Sequence, residues 1–335
     1  MSKCSGCMSR QRLNQQLVTE NSNMPRWSNI DFALRRQKDF SDMFFDSEKF
    51  TEKQKEDELK KFALSLHSEI TGIVDGINYK DHRQYEQPID IQKILYKSVD
   101  AYRYILAILN LWGIDSNIFN TALQQKDDFL HYRHKLSKKK WSGQPVALFD
   151  MDDVLANFRK SFCAWSTNQC GHFVDPESDE YYNVREFKKH GINNEQYFKK
   201  FIDNHGFLSL ERDESYFSLL NHLRNSGYWI QIITARPSAD LTCFYDTYSW
   251  LSRNNIEVDD IAFAPEKFVW LTDQKFYSSG KYFAIDDSAK HSAEYAKHGV
   301  KVIVPEKSYN QEVRGINNVI YVPKEANPVD FIPKL

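Results

Sequence analysis

The chain has 335 residues, 41% of them apolar and 27% charged, with a formal net charge of −2. This is the balance of a globular chain long enough for two ordinary cores, and it gives no electrostatic reason to bind bulk nucleic acid. No apolar run approaches the ~20 residues that span a bilayer, no apolar leader is evident, and five cysteines at irregular spacing suggest no disulfide framework, so no membrane partner and a cytoplasmic setting are expected.

Residues 1–25 are polar without an apolar period and read as a disordered tail. Cys4 and Cys7 form one CxxC with no second pair, too little for a zinc site. From 26 to 135 the spacing is helical. Leu66, Ile70, Ile73, Val74 and Ile77 mark one helix face, and Ile91, Ile94, Leu95, Tyr102, Ile105, Leu106 and Leu109 mark a second, with Gly113 as its stop. A third helix is expected over about 116–134, so this region reads as an all-α domain. Residues 136–145 are rich in lysine and carry Ser, Gly and Pro, which predicts a solvated linker.

After Pro145 the texture changes. Short apolar runs at 146–149, 229–233, 261–263, 282–285, 300–304 and 319–322 alternate with helical segments. Alternation of this kind predicts an α/β domain over 146–335, with a parallel sheet and helices on both faces. The stretch from about 159 to 208 is long enough for a helical cap inserted after the first strand.

Polar residues cluster where strands of such a sheet end. The first strand runs into Asp150-Met151-Asp152-Asp153, the second into Thr234-Ala235-Arg236, and a later one into Asp286-Asp287. Carboxylates gathered at one sheet edge repel unless a cation compensates, and Mg²⁺ suits oxygen ligands. The spacing then assigns chemistry. Asp150 attacks phosphorus, and Asp152, on the same side of the chain, protonates the leaving oxygen and later activates water. Asp150, Asp152 and Asp286, with Asp287 beside them, hold the metal. Thr234, Ala235 and Arg236 meet the phosphate. A lysine neutralises its charge; Lys275 is preferred over Lys267 and Lys281 for its spacing from Asp286. A phosphoreceiver domain uses similar groups, but there the acidic pair comes first and the lysine last.

The run Phe149-Asp-Met-Asp-Asp-Val-Leu-Ala-Asn-Phe158 resembles the first motif of the haloacid dehalogenase (HAD) superfamily, and within it the 5′(3′)-deoxyribonucleotidase branch. That branch carries Gly where this chain has Asp153. Ile232-Ile-Thr-Ala-Arg236, Lys275 and Ile285-Asp-Asp-Ser288 resemble the later motifs, and the resemblance spans about 145–305. It implies a Rossmann-like HAD fold and a Mg²⁺-dependent phosphatase acting through an aspartyl-phosphate. The implied substrate is a deoxynucleoside 5′-monophosphate held under the cap; Trp165, Tyr181, Tyr182, Tyr197 and Phe201 are candidates to meet base or sugar, with the cap's own core as the favoured alternative for each.

The helical region resembles the all-α NTP pyrophosphatases of the MazG and dimeric dUTPase-like group, through Leu66-His-Ser-Glu69-Ile-Thr-Gly72, Lys80, Lys97-Ser-Val-Asp100 and Lys126-Asp127. That group uses Glu-x-x-Glu and Glu-x-x-Asp to hold Mg²⁺. Here only Glu69 and Asp100 match, with Gly72 and Lys97 in place of two acids. The expectation is a metal-free ion cluster of Glu69, Lys97 and Asp100, without triphosphate hydrolysis, in a domain that binds nucleotide or pairs two copies of the chain. The rivals to a mononucleotidase are a bifunctional pyrophosphohydrolase-phosphatase, a polynucleotide-end phosphatase, and a nucleotide-binding module with vestigial catalysis.

Overall fold

The computed structural model describes residues 30–77, 88–178 and 184–335. The expected tail, Cys4, Cys7, Lys80, Tyr181 and Tyr182 lie outside them. The chain divides into two compact units, Met1–Ala122 and Leu123–Leu335. No described helix is long and apolar enough to cross a membrane.

The first unit is helical: α1 (Ile30–Ser41), α2 (Glu52–Val74), α3 (Ile91–Leu111) and the start of α4 (Ser116–Ser137). Thr51 opens α2 with a reciprocal cap, its hydroxyl accepting the Gln54 amide while the Gln54 side chain accepts the Thr51 amide. Asp90 accepts the Lys93 amide at the start of α3. The helix stops at Gly113, whose φ of +64° suits a residue without Cβ. The apolar stripe expected on α3 is only partly used. Ala101, Leu106, Ala107 and Leu111 are buried, while Ile91, Leu95, Tyr102 and Ile105 are exposed. A helix packed on α1 and α2 buries a narrow seam, and small alanines occupy it because they let neighbouring backbones approach.

The division between units falls inside α4, not in the lysine-rich stretch expected to be a linker. From Leu123 onward α4 packs with the second unit. Phe129 meets Phe244 and Tyr248 edge-on or tilted, and the Tyr132 hydroxyl donates to the Ile256 carbonyl at 2.7 Å. Residues 136–145 are tied down as well. Lys139 donates to the Val258 carbonyl and pairs with Asp259, and Trp141 packs on Phe276. The lysines conceal this anchoring because a long side chain can bury its stem and still reach an acid.

The second unit is built on six parallel strands: β1 (Val146–Phe149), β2 (Trp229–Thr234), β3 (Asp260–Phe263), β4 (Tyr282–Ile285), β5 (Val302–Pro305) and β6 (Val319–Val322), in the order β3-β2-β1-β4-β5-β6. The helices α8 (Glu214–Asn225), α9 (Leu241–Arg253), α10 (Lys267–Thr272) and α11 (Ala289–Lys297) connect them. This is the α/β architecture with a parallel sheet expected from the alternation. Two apolar clusters pack the sheet, one containing Ala147, Phe149, Ile230, Ile232 and Phe283, the other Val146, Leu148, Ile233, Ala284 and Val302. Alternate residues of β1 fall in opposite clusters, as strand geometry requires. Register places the strand ends together: Phe149 lies beside Ile232 on one flank and Ile285 on the other.

Between β1 and α8 the chain forms α5 (Phe158–Cys170), α6 (Val184–Lys189) and α7 (Asn194–Asp203). Phe158, Phe162, Phe201 and Phe207 are buried together there, in stacked and edge-to-face pairs. Gly206 lies flat against the Phe201 ring, and a Cβ there would collide with it. Gly206→Ala is therefore expected to cost about 1–3 kcal/mol through overpacking. Urea denaturation of the variant checks this, and an unchanged midpoint would contradict the packing described.

Candidate active site

The loop after β1 carries the first acids. Asp150 donates its amide to the Ile285 carbonyl and so prolongs the β1–β4 ladder by one residue. Its Oδ1 accepts the Met151 amide at 2.7 Å and lies 2.8 Å from Lys267 Nζ. The same ammonium is 2.7 Å from Asp286 Oδ2. Asp286 Oδ1 accepts the Ser288 amide. Asp287 Oδ2 accepts the Tyr309 hydroxyl at 2.5 Å, and the Asp287 carbonyl accepts the Asn310 side chain. Asp150, Asp286 and Asp287 are all buried, with carboxylate oxygens within 4.8 Å of one another.

The electrostatics follow from that crowding. Burial pushes the Asp150 carboxyl up to about 6 against the pull of Lys267. Burial, with repulsion from Asp153, Asp150 and Asp286, drives Asp287 well above the usual range. Burial alone would depress Lys267, but Asp150 and Asp286 more than offset it and raise it. His291, also at the site, is held near 4 by burial and by Lys267, so its ring is neutral at pH 7.

The lysine at this site is Lys267 and not Lys275. Lys267 is 1% exposed and begins α10, directly after the β3 end. Lys275 is exposed in the turn beyond the far end of that helix. The helix has six residues, about 9 Å at 1.5 Å per residue, so a lysine past its end is carried away from the sheet edge. Distance in sequence from Asp286 was the wrong guide; what matters is which residue starts the helix.

Asp152 is held by Arg236. The guanidinium reaches both carboxylate oxygens, at 2.6 Å through Nη2 and 2.9 Å through Nε. Arg236 also donates to Thr247 and lies over the Phe207 ring. Thr234 is fully buried, with its hydroxyl accepting the Arg236 amide. Ala235 and Arg236 border the cavity, and Thr234 does not. Asp153, where the resembling branch has Gly, sits at φ +56°, a region Asp tolerates better than most residues. Its Oδ1 accepts the Arg159 amide at 2.9 Å.

These groups face a cavity of about 370 Å³ roofed by the cap, where Phe158, Phe162, Phe198 and Phe207 form the wall. Trp165, Tyr197 and Phe201, expected to meet substrate, pack against one another instead and do not border it. Asn194, at the start of α7, does border it, and its buried Oδ1 has no hydrogen-bond partner among the described residues. Lys267 stands in the sequence only as a rival to Lys275, and no motif marks Asn194, His291 or Tyr309. A lysine opening the helix that follows β3 was the one available signal.

In the helical unit, Lys97 Nζ lies 2.8 Å from Glu69, with Asp100 close enough to add to the rise in the lysine's pKa, after Glu69. Gly72 leaves the space this lysine uses: a Cβ there would stand 3.0 Å from Lys97 Cδ. The two departures from the acidic pattern are therefore one structural change.

The family described as 5' nucleotidase, deoxy (pyrimidine), cytosolic type C protein matches residues 144–321. No curated protein matches the chain. Among solved structures, the chain is similar to a putative phosphatase from Clostridium difficile, with 14% identity over 57% of this chain and 98% of that one and a TM-score of 0.41. It is also similar to a predicted phosphatase from Clostridium acetobutylicum, with 16% identity, coverage of 54% and 95%, and a TM-score of 0.38. A HAD family hydrolase from Deinococcus radiodurans with bound phosphate and sodium has 12% identity, coverage of 49% and 82%, and a TM-score of 0.35. The family match spans more than half of the chain and includes every acid of the sheet edge: the chain belongs to the deoxy (pyrimidine) cytosolic type C 5′-nucleotidase family and is a hydrolase of phosphoric monoesters.

Proposed function

We propose that the chain is a Mg²⁺-dependent deoxynucleoside 5′-monophosphatase with Asp150 as nucleophile. The observation that carries this reading is the burial of Asp150, Asp286 and Asp287 around one lysine beneath an aromatic cavity. Asp150 Oδ1 is engaged by the Met151 amide and Lys267, while Oδ2 takes no hydrogen bond among the described residues. That oxygen is left to bond phosphorus.

The donors fit a hard divalent cation: three carboxylates, no sulfur or nitrogen, and mutual repulsion that only positive charge relieves. Asp150, Asp286 and Asp287 would hold Mg²⁺, which supplies charge against the phosphoryl oxygens. Lys267 fixes the Asp150 carboxylate and adds a second positive charge.

Asp152 serves as acid and base. A phosphate entering beside Arg236 competes for the guanidinium, and the released Asp152 carboxylate takes up a proton from solvent. As the Asp150 Oδ2–phosphorus bond forms and the bond to the leaving oxygen breaks, Asp152 gives that oxygen its proton. Water then attacks phosphorus, the bond to Asp150 breaks, and the water's proton passes to Asp152.

The phenylalanine wall suits a flat base, and the unpartnered Asn194 oxygen suits an N–H on its edge. The preference for a deoxy sugar rests on the family. The helical unit is read as non-hydrolytic, because Lys97 occupies the acidic pattern.

Phosphate release from a panel of nucleoside mono-, di- and triphosphates, with Mg²⁺ or with chelator, tests the reading. Activity is expected on deoxynucleoside monophosphates with Mg²⁺ and should fall at least about a thousandfold in Asp150→Asn; silence across all mononucleotides would contradict it. Lys267→Ala should lose about a hundredfold or more, while Lys275→Ala stays within about twofold; the reverse order would return the role to Lys275. Full-length Asp150→Asn should release no pyrophosphate from any deoxynucleoside triphosphate, and release would show a working N-terminal site.

A further inference from the structure

Asp287 is gripped by a loop that follows β5. Asn310 donates to its carbonyl at 2.8 Å and to the Pro305 carbonyl at 2.9 Å, which fixes the main chain on both sides. Tyr309 reaches the side chain, with its hydroxyl 2.5 Å from Asp287 Oδ2. The same hydroxyl lies 3.3 Å from Asp153 Oδ2. The hydroxyl thus stands between two acidic side chains, and its shorter contact is the one to Asp287.

The ring of Tyr309 is held too. The Arg159 guanidinium lies over it at 4.3 Å and donates through Nε to the Pro176 carbonyl at 2.6 Å. The Ser308 hydroxyl donates to the Ser178 carbonyl. Tyr309 therefore joins three things: an acid of the sheet edge, the extra acid at position 153, and the cap segment at 176–178. It also borders both the active-site cavity and an adjoining cleft of about 710 Å³.

We propose that Tyr309 is a positioning residue for the cation site: its hydroxyl orients Asp287 for metal binding and separates it from Asp153. The inference rests on reading Asp150, Asp286 and Asp287 as that site. A hydrogen bond to a carboxylate is charge-assisted, and at this length it fixes which oxygen stays free for a ligand. Groups that orient metal ligands in this way typically control affinity by about 10–100-fold. Asp153 gives the arrangement its purpose. A glycine at φ +56° would put no charge beside Asp287, so the aspartate creates a repulsion that the tyrosine hydroxyl offsets.

Direct titration of the full-length protein with Mn²⁺, followed by electron paramagnetic resonance of the free ion, tests this without turnover. Tyr309→Phe keeps the ring and its contact with Arg159. It is expected to weaken Mn²⁺ about 10–100-fold relative to wild type at an unchanged thermal midpoint. Adding Asp153→Gly, which removes the repulsion and suits the positive φ, should restore a large part of that loss. A Tyr309→Phe affinity within about twofold of wild type overturns the role of Tyr309, and so does a double variant no better than the single. A wild-type protein that binds no Mn²⁺ overturns the cation site itself, and this inference with it.

Discussion

One ammonium buried between two carboxylates organises the catalytic half of the molecule. Lys267 lies within 2.8 Å of both Asp150 and Asp286, where an unpaired acid or an unpaired lysine would be strongly disfavoured. Removing one partner leaves the others uncompensated, so β1, β4 and the first residue of α10 are bound to one arrangement. Parallel strands make that arrangement accessible by bringing their carboxyl ends to a single edge. The balance remains negative, because Asp287 joins the group without an ion pair among the described residues. A site left short of positive charge is suited to a divalent cation and a phosphate together.

The second ion pair acts differently. Arg236 and Asp152 satisfy each other at the cavity rim, and Asp152 keeps 24% of its side chain exposed while Arg236 is buried. The arginine is fixed by Thr247 and Phe207, so the aspartate is the partner free to move. The cap walls the same cavity with phenylalanines, and Asn194 borders it with a buried Oδ1 that takes no hydrogen bond among the described residues.

Much of this was legible before any coordinates. Strands β1, β2 and β4 are largely apolar runs that end in polar residues, and a parallel sheet brings such ends to one edge; that is why the acids and their convergence could be read. What escaped was set by direction and not by composition. Lys267 and Lys275 are equally lysines, and only the start of a six-residue helix separates them. Asp153 announced itself as a departure from glycine, but its partner Tyr309 lies over 150 residues away in a loop with no pattern. Lys139 read as solvated, like its exposed neighbours Lys138 and Lys140, because charge is visible in sequence and the acceptors at Val258 and Asp259 are not. On α3, apolar spacing marked a face wider than the seam that α1 and α2 cover.

The account depends most on a covalent bond between Asp150 and phosphorus. Acid quenching during turnover of a deoxynucleoside monophosphate, followed by borohydride reduction and peptide mass spectrometry, reads that bond directly, since the acyl phosphate is reduced to homoserine. The account predicts homoserine at position 150, dependent on substrate. Turnover without it, or reduction at another acid of the sheet edge, would contradict the account.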